Sequence, residues 1–308
     1  MTPADAVQWI FGHYTRDDLM RLDRTSLAAL LRERTHHTIE VPLYPALLKG
    51  VAHPLPNFGE QAQLVFDVWR ERGFPEDGPD IGWVRRYLEI AARIRAGEAV
   101  DLEESLPESF SDAELEVVEK LIRGRRSIRD WTDKPVPDWM IEKILDAGRM
   151  APIGCNMGHL RFIVLRDPEE KKLIWSDVPT KNAAAVIVIC HDTRASAAVG
   201  HDQVVPQNSG FDAAAAADHM LLMAHAFGLG AVWLSELRQS SKTIDTGKAF
   251  KERYGLPEEI EVDLHIAVGW ASIGTIKSAR PPLEEYIIRK ETTGSDPRKP
   301  NGFNRGSD

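Results

Sequence analysis

Residues 183–190, Ala-Ala-Ala-Val-Ile-Val-Ile-Cys, form an unbroken apolar run of strand length. A strand wetted on one face alternates apolar and polar residues, so a strand with no polar position is covered on both faces. The run therefore demands a sheet with packed layers on either side. Its surroundings supply them. The spacing predicts further strands over 160–165, 231–235 and 262–269. Helices are predicted from Pro137 and Asp138 through Met150, from Pro168, and over 243–254. The helix ending at Met150 has Met140, Ile141, Ile144, Leu145 and Ala147 as its apolar set. The segment 211–227 is alanine-rich and apolar almost all round, as in a helix at the centre of a fold or across a subunit interface. His191, Asp192, His201 and Asp202 are expected in the loop leading to Gly210. Strands separated by helices give an α/β or α+β sandwich.

The first hundred residues read differently. Helices are predicted over 4–13, 26–34, 59–72 and 81–96, the third with Ala62, Val65, Phe66 and Trp69 at helical spacing. Residues 42–56, with four prolines, read as an irregular connection. His36 and His37 are adjacent and so point to different faces, which favours a solvated pair over a metal site. An acidic stretch over 97–109 marks the expected boundary between a helical N-terminal extension, 1–105, and a second domain, 106–290. Ser111 and Glu114 then form a capping-box pattern that opens a helix with Leu115, Val118, Leu121 and Ile122 on one face, ending near Gly124. After Ile288 the chain is charged and rich in Gly and Pro, so 291–308 is expected to be a mobile tail.

Composition narrows the function. With 43% hydrophobic and 28% charged residues in 308, the chain has the make-up of a globular protein with a sizeable core. A net charge of −9 argues against nucleic acid as a partner, which needs an extended basic surface. Two cysteines, Cys155 and Cys190, outside any CxxC pair, leave no basis for a disulfide framework or structural zinc. No apolar run approaches the roughly 18 residues that cross a bilayer, and the first residues lack a signal-peptide pattern. The expected location is the cytoplasm, with no membrane partner.

Against that acidic background, 123–133 stands out: Arg125, Arg126 and Arg129 with Ser127 among them. Guanidinium forks beside a hydroxyl suit a phosphate-bearing ligand. The same residues also suit a solvated helix end, where cations complement the negative pole of the dipole.

The segments that follow decide between these. Arg125-Arg126-Ser127-Ile128-Arg129 is succeeded by Ala151-Pro152-Ile153-Gly154-Cys155-Asn156, with Arg161-Phe162-Ile163-Val164 behind it. Then come Ala224-His225-Ala226-Phe227-Gly228-Leu229-Gly230-Ala231-Val232-Trp233, Gly255-Leu256-Pro257-Glu258, Ala267-Val268-Gly269 and Arg280-Pro281-Pro282-Leu283-Glu284-Glu285. In content and order, over residues 110–290, this resembles the nitroreductase family of FMN-dependent flavoproteins. The resemblance implies a mixed, mainly antiparallel sheet flanked by helices, in an intertwined homodimer with FMN at the interface. It assigns Arg125, Arg126, Ser127 and Arg129 to the FMN phosphate, ribityl chain and pyrimidine edge, with Arg280 reaching the phosphate. It places Pro152, Ile153 and Asn156 along the isoalloxazine and ribityl chain, and Ser235 and Glu236 at the flavin N5 and O4 edge. His225 and Cys155 read as structural.

The implied activity is transfer of electrons from NADH or NADPH through FMN to an electron-poor small molecule of nitroaromatic or quinone type, in two half-reactions. Specialised flavin chemistry on the same scaffold (reductive dehalogenation, or oxygen-dependent fragmentation) and flavin binding without turnover are the alternatives. Two departures bear on the choice. Where the family reads Asn-x-Gln-Pro-Trp, this chain has Asn156-Met157-Gly158-His159-Leu160, which brings His159 near the flavin as a candidate proton donor or a surface residue. The helical N-terminal hundred residues are absent from minimal family members.

Overall fold

The computed structural model describes residues 14–43, 57–100, 107–172, 182–200, 205–235 and 246–288. The helix expected over 4–13, most of the 42–56 connection, His201, Asp202, Glu236 and the tail from 291 lie outside the described residues. The elements in chain order begin with α1 (Arg16–Arg21), α2 (Arg24–Thr35), a π-helical turn (His36–Glu40), α3 (Glu60–Glu71) and α4 (Pro79–Arg95). Next come α5 (Asp112–Gly124), α6 (Asp138–Arg149), a 3-10 turn (Gly154–Asn156) and β1 (Leu160–Leu165). The remainder of the first compact unit is α7 (Pro168–Lys171), β2 (Ala185–Asp192), α8 (Thr193–Val199), α9 (Asn208–Ala226), β3 (Gly230–Ser235), α10 (Thr246–Tyr254) and β4 (Ile260–Gly269). Compactness divides the chain into Met1–Thr275 and Ile276–Asp308. In the second unit, the described residues carry one 3-10 turn, Leu283–Tyr286. The acidic stretch over 97–109 lies in chain order between the core of the N-terminal helices and the two cores on either face of the sheet.

The four strands run in the order β1-β2-β4-β3, and every pair is antiparallel. A parallel bridge from Ser127 to Ala231 adds the mixed element at the β3 edge. All eight residues of β2 are buried, so the apolar run is indeed covered on both faces. Ala185, Ile187 and Ile189 enter one core with Ile141 and Ile144 of α6 and Ala213, Ala217, Met220 and Ala224 of α9. Val186, Val188 and Cys190 enter the other with Ile128, Trp131, Val232 and Ala267. The strand extends beyond the expected 190, so His191 and Asp192 belong to β2 rather than to a loop. Leu160 of β1 pairs with His191, and Ile260 of β4 pairs with Asp192, so the two antiparallel partners carry the strand to its end.

The N-terminal helices enclose a core of their own, with Leu27, Leu30, Leu31, Val65, Trp69, Val84 and Leu88. Their edges are fixed by caps: Asp23 accepts from the backbone of Thr25 and Ser26 at the start of α2, a cap contributing about 1 kcal/mol. His36 and His37 are not a solvated pair. Their Nδ1 atoms lie 2.6 Å from Glu40 and 3.0 Å from the fully buried Glu33, whose carboxylate also pairs with Arg34.

Candidate functional site

The cationic end of the site starts where α5 stops. Glu114 Oε2 accepts from Ser111 N at 2.8 Å and Ser111 Oγ at 2.6 Å, the expected capping box. Yet none of the helix is buried, and Leu115 and Ile122 stand exposed. At its other end a β-carbon on Gly124 would lie 2.5 Å from His225 Nε2, so the missing side chain lets α5 touch the end of α9. Burial and the charges of Arg126, Arg125 and Lys120 hold the His225 imidazole below its ordinary pKa. Beyond Gly124 the chain crosses to the sheet edge. Ile128 N donates to Ala231 O at 3.2 Å, Trp131 Nε1 to Gly230 O at 2.9 Å and Thr132 N to Trp270 O at 2.8 Å. Trp131 is 2% exposed, so it anchors the segment.

The three arginines on this anchored strip do different things. Arg126 Nη1 turns back onto the carbonyls of Arg123, Gly124 and Arg125 at 2.6–2.9 Å, a C-terminal cap on α5. Arg125 Nη1 reaches Ser127 Oγ at 3.5 Å, and Arg129 Nη1 the carbonyl of Ser127 at 3.4 Å. Among the described residues none of the three is paired with a carboxylate. The helix-end reading therefore describes Arg126 Nη1, while all three arginines, each engaged through one nitrogen only, keep most of their donors for a ligand.

The second end is the turn after α6. Cys155 (φ 54°) and Asn156 (φ 51°) both take the left-handed conformation, which costs about 1–3 kcal/mol for each side-chain-bearing residue and persists only where neighbours impose it. Here they do. Gly154 N donates to Asp212 Oδ1 at 3.0 Å, and a β-carbon on Gly154 would meet Asn208 Nδ2 at 2.0 Å. Pro152 is exposed while Ile153 and Asn156 are half-buried. Burial pushes the Cys155 thiol up to about 12, so it is inert packing.

Asp212 ties this end together. Its Oδ2 accepts from Asn208 Nδ2 at 2.8 Å and lies 3.3 Å from His159 Nε2. Burial raises its carboxyl from 3.8 to about 6, with the Gly154 amide acting in the opposite sense. His159 is fully buried, so it is not a surface residue. It lines a cavity of about 640 Å³ with Met157, His191, Asn208, Trp233 and Asp263. His191 Nδ1 lies 2.8 Å from Asp263 Oδ2 there. Among the described residues no group of three His, Cys, Asp or Glu side chains is arranged to hold a metal.

The sequence-predicted residues thus fall into two sets. Arg125, Arg126, Ser127 and Arg129 gather beside the C-terminal end of α9, whereas Pro152, Ile153, Asn156 and His159 gather at its N-terminal end. From Asp212 to His225 the helical rise spans about 20 Å. Ser235 ends β3, opposite Leu264, and Arg280 lies exposed in the second unit. Asp212 and Trp131 were missed. Asp212 had one signal, an acid just before the alanine run of a mostly apolar helix; Trp131 had none, because its partner is a backbone carbonyl far along the chain.

The sheet, covered on both faces and crossed at its edge by a basic strip, can be set beside known proteins. Residues 122–270 match the Nitroreductase family. A protein of Archaeoglobus fulgidus, provisionally named NADH dehydrogenase/NAD(P)H nitroreductase, is 36% identical over 49% of this chain and 83% of its own length. The FMN reductase [NAD(P)H] of Bacillus subtilis is 26% identical over 56% of this chain and 73% of its own. Among solved structures, a provisionally named nitroreductase of Desulfovibrio desulfuricans in complex with FMN is 32% identical over 57% of this chain and 97% of its own, with a TM-score of 0.47. The chain belongs to the nitroreductase family. Among the described residues no helix is long and apolar enough to cross a membrane.

Proposed function

We propose that the protein is an FMN-dependent oxidoreductase that draws on NADH or NADPH to reduce an electron-poor small molecule, nitroaromatic or quinone in type, by a ping-pong sequence. The observation that carries the reading is the anchored strip at the β3 edge, where Arg125 and Arg129 present guanidinium donors with no carboxylate partner among the described residues. These donors fit a phosphate dianion and a pyrimidine edge, and charge-assisted hydrogen bonds of this kind contribute about 1.5–3 kcal/mol each. Ser127 supplies a hydroxyl beside them, and Arg280 is a further proposed phosphate ligand. When bound, FMN supplies the centre that accepts hydride from the nicotinamide and returns electrons to the acceptor. The protein's own residues do the rest. Cationic donors would stabilise negative charge at the pyrimidine edge; Pro152, Ile153 and Asn156 are the proposed wall for the ring; Ser235 and Glu236 are the proposed contacts at its reactive edge. His159, buried against Asp212, is the proposed proton store nearest the ring wall.

The working form is proposed to be a homodimer. Helix α5 has an apolar face on which Leu115 and Ile122 stand exposed and no residue is fully buried, and Trp139, Met150 and Phe211 are exposed around α6 and α9. A second copy would cover these faces and bring the wall of one chain beside the arginines of the other. The proposed location is the cytoplasm, where reduced nicotinamides are the available donor. The test of the reading is direct. The purified protein should be yellow, and NADH or NADPH should bleach it without oxygen; a colourless protein that takes up no added FMN contradicts it.

A further inference from the structure

The N-terminal helices make one set of contacts that a merely appended layer would not need. Arg32, on α2, is 14% exposed in its side chain, and its fork spans two groups. Nε donates to the carbonyl of Met157 at 3.2 Å, Nη2 donates to the same oxygen, and Nη1 donates to Asp80 Oδ2 at 2.9 Å. Met157 immediately follows the left-handed pair Cys155 and Asn156. Gly158, with φ +63°, leaves room for the guanidinium, since a β-carbon there would lie 2.9 Å from Arg32 Nη2. Ala29, one turn earlier on α2, is fully buried in a small cluster with Cys155, Met157, Ala195 and Val199. The layer is braced at two further points, where Tyr14 Oη donates to Ala198 O at 2.6 Å and Ser26 Oγ to Arg194 O at 3.4 Å.

A turn with two consecutive strained residues needs external partners to stay in one conformation. Asp212 supplies one from beneath, through Gly154. Arg32 supplies the other from the N-terminal layer, held in place by Asp80. We propose that Arg32 is a positioning residue for the cofactor: the N-terminal layer clamps the 153–158 turn, and the flavin wall formed by Ile153 and Asn156 takes its shape from that clamp. This rests on the FMN reading above for what the wall binds, but the clamp itself is a property of this chain. A bidentate guanidinium reaching a carbonyl and a carboxylate at once is not replaced by an ammonium, which lacks the planar fork.

The protein provides a readout that needs no flavin. Cys155 is buried inside the clamped turn, and Cys190 is fully buried in β2; they are the chain's two cysteines. Labelling with an aromatic disulfide reagent reports the opening of each. In Arg32→Ala, Cys155 should label on the order of tenfold faster with Cys190 unchanged, and the FMN Kd should rise roughly tenfold, the scale of one charge-assisted hydrogen bond. The visible circular dichroism of bound FMN should change as well. Arg32→Lys should recover part of each effect. If Arg32→Ala does not fold, Gly158→Ala applies the same disturbance from the loop side and should give the same signature. Val65→Ala, in the N-terminal core away from the turn, should lower Tm without moving Cys155 labelling or FMN Kd. Unchanged Cys155 labelling in Arg32→Ala and Gly158→Ala, or equal acceleration in Val65→Ala, overturns the clamp. A wild-type protein that binds no FMN overturns the functional reading instead, and the labelling arm still decides the clamp.

Discussion

The two ends of helix α9 are built on opposite plans. At its C-terminal end, by His225, the chain presents an open strip of arginines fastened to the sheet edge by backbone bonds and by the buried Trp131. At its N-terminal end, by Asp212, a strained turn is packed from below and pinned from above by Arg32. One end is solvated and charged, ready for an anion. The other is largely buried and shaped by its neighbours. A cofactor with a dianionic tail and a flat ring needs one surface of each kind, and a single polypeptide offers them about 20 Å apart along one helix.

The comparison is most vulnerable at the arginines. Arg125→Ala combined with Arg129→Ala should weaken FMN binding roughly 100-fold or more, two charge-assisted contacts being lost. Equilibrium dialysis reads this, and the fold should survive because neither side chain holds it. The dimer comes next. Leu115→Ser with Ile122→Ser should raise the dimer dissociation constant about 10- to 100-fold per residue if the α5 face is covered by a partner, from about 1.5–3 kcal/mol for each buried side chain. Sedimentation at several concentrations measures it, and an unchanged constant would place the interface elsewhere.

Smaller effects separate anchoring from binding. Gly230→Ala puts a methyl 2.7 Å from Ile128 Cβ and should cost about 1–3 kcal/mol by overpacking. Urea unfolding reads that loss, and weaker FMN binding should accompany it. At the other end, Asp212 is held more readily protonated in the folded state than in the unfolded chain, across the interval from 3.8 to about 6. Stability should therefore fall as pH rises through that interval and level off above it. Asp212→Asn removes this slope, so its stability relative to wild type should climb from pH 4 to 6 and then stay constant. Parallel unfolding curves for the two proteins would show that the carboxyl does not titrate there.

The sequence carried the sheet well and the site in part. The run at 183–190 required cover on both faces, and Ile187 and Val188 do enter opposite cores. Strand 160–165 and the helix from Asp138 follow from periodicity alone, because local spacing and burial agree there. What periodicity could not give was the partner of each surface. The apolar side of α5 looks like a core face in sequence, yet among the described residues none of the helix is fully buried. Arg126 looks like its neighbours, yet it caps a helix, since which guanidinium turns inward depends on the path of the backbone. Arg32 and Asp80 had no signal at all: their importance lies in a carbonyl far along the chain.

The central claim is that the arginine strip of one chain works with the wall of another. Two variants isolate the halves, Arg125→Ala/Arg129→Ala and Ile153→Asp/Asn156→Ala, and each alone should bind FMN poorly. A heterodimer of the two, purified through different tags, keeps one intact strip and one intact wall on opposite chains. FMN titration of that heterodimer should find one tight site per pair of chains. If strip and wall serve the same chain, the heterodimer has no complete site, and finding no tight site would contradict the account.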